Sequence, residues 1–156
     1  MIDMNTVIQR LVFNEGCVLH IYKDHLGKET IGIGRCLETN PLTTEEKKIC
    51  GDITKGITKN DAFFLCRNDI YNVCKALDRN IPWWRNLNQD RQYVLIDLVF
   101  NLGIDGVKKF KKFLQNLQIG NYEIASCELL DSKYANQVQN RANRNARCIR
   151  TGKYTV

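Results

Sequence analysis

No stretch of this chain approaches the roughly 18–20 apolar residues of a membrane-spanning helix. Its opening residues, Met1-Ile2-Asp3-Met4-Asn5-Thr6, lack the basic segment and long apolar run of a secretory signal. A soluble protein made in the cytoplasm, without stable membrane insertion, is therefore expected. Internal repeats and low-complexity tracts are also missing, and no dinucleotide fingerprint is present: Gly32-x-Gly34 has neither the third glycine nor a following helix. Histidine is scarce. His20 and His25 have no accompanying Cys, Asp or Glu in ligand spacing, and no CxxC occurs. No metal and no cofactor is expected.

What is present suits a single globular domain. The 156 residues are 44% hydrophobic, enough for a core, and 26% charged, too balanced for disorder. The net charge of +6 suits an anionic partner and leaves nucleic acid, membrane surface and cell-wall polymer open. Seven cysteines (17, 36, 50, 66, 74, 127 and 148) are many for this length, and the odd number leaves at least one unpaired within the chain. They read as small core residues. The alternative is one or two disulfides formed after export, for which Cys36 and Cys50 are the candidate pair.

Apolar periodicity places the elements. Val7, Ile8, Leu11 and Val12 mark one face of a helix over Asn5–Asn14, capped by Asn5 or Thr6 and ended by Gly16. Leu19–Tyr22 and Glu29–Gly34 read as two antiparallel strands about a Lys23–Lys28 turn. The glycines of the second strand signal bends or close backbone approach. Thr43-x-x-Glu46 is a capping box for a helix over Thr44–Cys50. The longest helix runs from Lys59 to Arg79, before Pro82. Further helices follow: one from Asn88 to near Gly103, one through Phe110–Leu117, one over Ile124–Leu130 and a basic closing helix over Asn140–Ile149.

Glu15 at a helix end and Asp24 in a polar turn fit the division of labour in glycoside hydrolysis, where one carboxyl group donates a proton and a second acts as carboxylate. A helix C-terminus disfavours negative charge, and a cleft wall adds desolvation, so Glu15 is favoured as the protonated acid. An exposed turn keeps Asp24 ionised. Thr30, on the returning strand, offers a hydroxyl to hold a water. A Glu and an Asp nine residues apart are, on their own, usually surface residues.

The wider pattern is more specific. Asn14-Glu15-Gly16, Tyr22-Lys23-Asp24, Gly27 and Thr30-Ile31-Gly32-Ile33-Gly34 resemble the signature of the phage-type lysozymes, glycoside hydrolase family 24. The likeness extends through Val99-Phe100-Asn101-Leu102-Gly103, Asn140-Arg141-Ala142-x-Arg144 and Arg150-Thr151-Gly152. It implies an α+β, two-lobed fold in one domain over 1–156. A small antiparallel-sheet lobe (about 16–58) is joined by a long helix (about 59–79) to an all-helical lobe (about 80–156), on which helix 5–15 packs. It implies Glu15 as catalytic acid, Asp24 as carboxylate and Thr30 as the water-positioning residue. Leu37, Asn101, Tyr134, Gln137 and Arg141 are implied to line the substrate cleft, with Arg141 near Glu15.

The expected activity is that of an endolysin or muramidase cutting the β-1,4 bond between N-acetylmuramic acid and N-acetylglucosamine in peptidoglycan, with inversion. A monomer is expected to act on glycan strands of the cell wall or periplasm after release, in host-cell lysis, with no nucleic-acid partner. Where the family carries histidine after the glycine run, this chain has Arg35. An exposed pair with Asp69 is expected there. Asn101 replaces a glutamine, and the segment between Glu38 and Lys59 is short. The alternative reading is a non-catalytic peptidoglycan-binding module with the same fold. A nucleic-acid-binding helical domain, suggested by Arg141, Arg144, Arg147 and Arg150, has no recognition motif to support it.

Overall fold

Asp3 opens the first helix. Its carboxylate accepts the Thr6 amide at 3.0 Å and the Thr6 hydroxyl at 3.1 Å. The cap therefore lies at Asp3 rather than at Asn5 or Thr6, because a carboxylate at this position both satisfies a free amide and faces the positive end of the helix. The computed structural model describes residues 2–156. Helix α1 (Met4–Glu15) leads into a three-stranded antiparallel sheet of β1 (Val18–Lys23), β2 (Glu29–Gly32) and β3 (Arg35–Cys36), in that order. The short β3 escapes sequence reading, since two residues carry no period. Gly32 and Gly34, at φ of 66° and 69°, make the turn that creates it.

Helix α2 (Thr44–Cys50) starts on the expected capping box: the Thr43 hydroxyl accepts the Glu46 amide, and Glu46 accepts the Thr43 amide. Helix α3 (Lys59–Asn80) is the long one, opened by reciprocal bonds between Thr58 and Asp61. Then come α4 (Gln89–Lys108), α5 (Lys111–Gln118), α6 (Tyr122–Leu130), α7 (Lys133–Gln137) and α8 (Gln139–Thr151). Helix α4 breaks at Gly103, where φ is 75° and ψ 161°, so the stop expected there is a kink after which the helix resumes. Helix α7, capped by Ser132, lies in the stretch the sequence marked only as cleft-lining.

A small sheet-bearing lobe is thus joined by a helix to an all-helical lobe. By packing, the chain divides into two compact units, Asp3–Tyr71 and Asn72–Val156, the latter with Ile2. The division falls inside α3 and groups α1 with the sheet. The reason is visible at both ends of the helix. Ile8, Gln9 and Val12 share a groove with Cys17, Leu19, Lys59 and Phe63, and Glu15 rests on the backbone of Gly34.

The sheet unit has a core of Ile31, Leu42, Ile57, Ala62 and Leu65. In the helical unit, α4 buries every residue from Gln92 to Val99, a helix covered on most sides. Helices α6 and α8 pack closely, with the Ser126 hydroxyl donating to the Ala146 carbonyl at 2.9 Å. All seven cysteines are free thiols, so Cys36 and Cys50 are not bridged. Cys66 and Cys148 are buried, as small core residues would be, and Cys127 is exposed. Among the described residues, no helix is long and apolar enough to cross a membrane.

Candidate active site

Glu15 is the last residue of α1. Gly16 follows at φ 75° and ψ 179°, its amide bonded to the Val12 carbonyl at 2.8 Å, and turns the chain out of the helix. The Glu15 side chain, partly buried, lies against Gly34. A Cβ added to Gly34 would stand 2.9 Å from Glu15 Oε2 and 3.0 Å from its Cγ and Cδ. The last glycine of the Gly32-Ile33-Gly34 run is therefore the close approach that the sequence signalled, and the group approaching is the carboxyl group of Glu15 itself.

Asp24 opens the β1–β2 turn. Its amide bonds to the Lys28 carbonyl, and its carbonyl accepts from Gly27, both at 2.9 Å. Its Oδ1 accepts two further amides, Leu26 at 2.8 Å and Lys28 at 2.9 Å. The Lys28 amide above all, then the Leu26 amide and the charges of His25 and Lys28, hold Asp24 below the usual carboxylate range against a smaller desolvation penalty. The turn is thus built around an ionised Asp24.

Thr30 sits in β2, buried between Tyr22 of β1 and Cys36 of β3, its partners in register. Its hydroxyl donates to the Lys28 carbonyl at 3.1 Å. That commits the one hydroxyl hydrogen and leaves the oxygen free to accept. Tyr22 is a residue whose role the sequence did not reveal. Burial first, then the charges of Glu15 and Asp24, raise its phenol above the usual value. One phenol therefore feels both carboxyl groups. Facing partners share one side of a sheet, so Tyr22 and Thr30 lie side by side.

Beside this group, Arg35 forms a buried ionic cluster. Its guanidinium meets Glu46 through two bonds, at 2.7 and 3.1 Å, and Asp69 at 3.2 Å. It also donates to the carbonyls of Asn40 and Pro41. The expected pairing of Arg35 with Asp69 is present but not exposed: Arg35 is 3% accessible and Asp69 7%. Glu46 is the partner that sequence reading missed, having appeared there only as half of a capping box. Asn68 donates to it from α3 at 2.9 Å, and Asn40 donates to Asp69 at 3.0 Å.

The other expected substrate residues fall in two groups. Asn101, on the last turn of α4 before the Gly103 break, is partly exposed, and Gln137 at the end of α7 is exposed. The remaining three are engaged in packing. Leu37 packs against the sheet-unit core. Tyr134 is buried, with its hydroxyl accepting from Asn145 at 2.9 Å. Arg141 is 8% accessible and grips Asp97 of α4 at 2.7 and 3.0 Å. Asp97 also takes a bond from Asn145 at 2.8 Å. A lone aspartate inside the apolar run Tyr93–Val99 was the available signal for this network, because a carboxylate there needs a buried donor. Trp84 is core, its indole N–H donating to Asp78 at 2.8 Å.

Residues 13–147 match the model of the phage lysozyme family. The chain belongs to that family. Two relatives cover nearly its whole length: probable T4-type lysozyme 1 of Dictyostelium discoideum, 30% identical over 96% of each chain, and probable T4-type lysozyme 2 of the same organism, 29% identical over 91% of this chain and 92% of that one. The pre-baseplate central spike protein Gp5 of Enterobacteria phage T4 is 30% identical over 89% of this chain, which spans 26% of that longer protein. Family membership carries glycosidase activity of the lysozyme kind, with peptidoglycan as the substrate class. The matched span includes Glu15, Asp24 and Thr30.

Proposed function

We propose that this chain is a muramidase that hydrolyses the β-1,4 bond between N-acetylmuramic acid and N-acetylglucosamine with inversion. Glu15 protonates the leaving oxygen. Asp24 takes a proton from a water that attacks the anomeric carbon from the opposite face, and solvent exchange then restores both groups. The hydrogen-bond pattern of the β1–β2 hairpin supports this reading most directly. Two amides occupy Asp24 Oδ1, and the Thr30 hydrogen is spent on Lys28. Asp24 Oδ2 and a Thr30 lone pair remain as acceptors for the two hydrogens of one water. An inverting enzyme needs such a water, whereas a retaining enzyme brings its carboxylate directly onto the sugar.

In the helical unit, Asn101 and Gln137 are the exposed residues proposed to meet glycan. Leu37, Tyr134 and Arg141 act by fixing their own elements. The substrate lies outside the cytoplasm, and the enzyme is proposed to reach it after release, acting as a monomer in cell lysis.

Glu15→Gln keeps the shape of the acid and loses its proton. Clearing of purified peptidoglycan by this variant is expected to fall on the order of 10³-fold with folding unchanged. The wild type is expected to release an α-configured first product, read by NMR before the anomers equilibrate. A β product overturns inversion, and full activity in Glu15→Gln overturns the site.

A further inference from the structure

Tyr22 lies at the centre of the site without a task in the mechanism above. Three observations define its position. It faces Thr30 across the β1–β2 ladder, and Thr30 faces Cys36 across β2–β3, so the three side chains form one row on one face of the sheet. It is the last residue but one of β1 and stands two residues before Asp24, which opens the turn after the strand. Its phenol is within electrostatic reach of both Glu15 and Asp24, the two groups between which the scissile bond must lie.

We propose that Tyr22 is a substrate-positioning residue of this active site, its hydroxyl donating a hydrogen bond to the sugar whose anomeric carbon is attacked. This inference rests on Glu15 and Asp24 being the reacting pair. A donor is what the location calls for: the water accounts for Asp24 Oδ2 and Thr30, and Glu15 spends its proton on the leaving oxygen. The sugar then lacks a neutral group to fix its rotation between acid and water. A phenol serves here because it donates without adding charge. Partial burial first, then the two neighbouring carboxyl groups, keep it protonated, so it donates throughout the pH range in which Glu15 and Asp24 work. Its ring stands in the sheet row beside Thr30, and small errors of alignment cost large factors in rate.

The test is Tyr22→Phe, which removes one oxygen and keeps the ring. Turnover on peptidoglycan is expected to fall about 10- to 100-fold with thermal unfolding unchanged, because the lost group acts on substrate rather than on the fold. Unchanged turnover in Tyr22→Phe overturns the inference, and so does a rate loss that follows a loss of folded protein. A more acidic fluorotyrosine placed at position 22 alone gives a second readout. It is expected to move the alkaline limb of the pH profile of turnover to lower pH than in the wild type, because an ionised phenol no longer donates to the sugar. A pH profile identical to that of wild type overturns the inference. Glu15→Gln, assayed in parallel, separates the two claims. If that variant is inactive and Tyr22→Phe is fully active, only the role of Tyr22 falls. If both are active, the acid assignment falls with it.

Discussion

Among the described residues each half buries one arginine, and the two sit in different networks. In the helical unit, Arg141 bonds Asp97, Asn145 donates to the same carboxylate, and Tyr93 and Tyr134 lie in the same cluster. In the sheet unit, Arg35 faces two carboxylates, Glu46 and Asp69. One cation cannot fully offset two buried anions, and the structure divides them unequally. Glu46 takes two Arg35 bonds, Asn68 and the Thr43 amide, and despite burial is held down at about 2. Asp69, with the longer contact, is pushed up to about 6 by burial that Arg35 and Asn40 do not overcome. The difference predicts that the sheet unit, which carries the Asp24 hairpin, is the half whose stability responds to mildly acidic pH.

The largest effects come from removing the arginines. Arg35→Ala and Arg141→Ala each strand buried negative charge and are expected to cost about 3–5 kcal/mol in urea unfolding at pH 8. Arg35→Ala is expected to recover part of its loss at pH 5, where Asp69 takes up a proton. Equal losses for Arg35→Ala at both pH values would erase the contrast between its two carboxylates. Arg141→Ala is also expected to lower activity in the peptidoglycan assay.

Glu46→Gln comes next. The folded value of Glu46, about 2, lies below its ordinary 4.5. Its ionised form therefore contributes stability above about pH 4.5, and that contribution fades as the pH falls toward 2. The amide retains an oxygen for the Thr43 cap but loses the ionic bonds. A loss of about 2–3 kcal/mol is expected at pH 6, shrinking to nothing near pH 2. A pH-independent loss would assign the effect to packing.

The same contrast shows which features the sequence made legible. The fold of the β1–β2 hairpin was readable because its parts are local: Asp24, Gly27 and Thr30 lie within seven residues, and the turn geometry follows from their types. The long helix and the capping box were readable for the same reason. The ionic clusters join residues far apart in sequence, 11 positions for Arg35 and Glu46 and 44 for Arg141 and Asp97. Side-chain pairing over such separations leaves no periodic trace. Resemblance supplied the Arg35–Asp69 pair but suggested exposure, because a charged residue is usually at the surface. Tyr22 was quoted within the family signature, yet its role depends on strand register, which periodicity places only to within a residue.

Asp69→Asn carries the smallest effect and the opposite sign. The folded value of Asp69, about 6, lies above its ordinary 3.8. Between those values the folded protein keeps a proton that the unfolded chain has released. The contribution of Asp69 is therefore fully present below about pH 3.8 and is lost as the pH rises through 6. Asparagine at this position remains neutral and can still accept from Asn40, but it gives up the 3.2 Å contact with Arg35. The variant is expected to match wild type near pH 4 and to exceed it by roughly 1–2 kcal/mol at pH 7, burial outweighing the lost contact. Glu46 and Asp69 share Arg35, so the double variant should depart from the sum of the single ones. Thermal unfolding followed from pH 4 to 7 decides the matter. If Asp69→Asn and wild type run parallel across that range, Asp69 is ionised throughout, and Arg35 neutralises both carboxylates as fully as Arg141 neutralises Asp97.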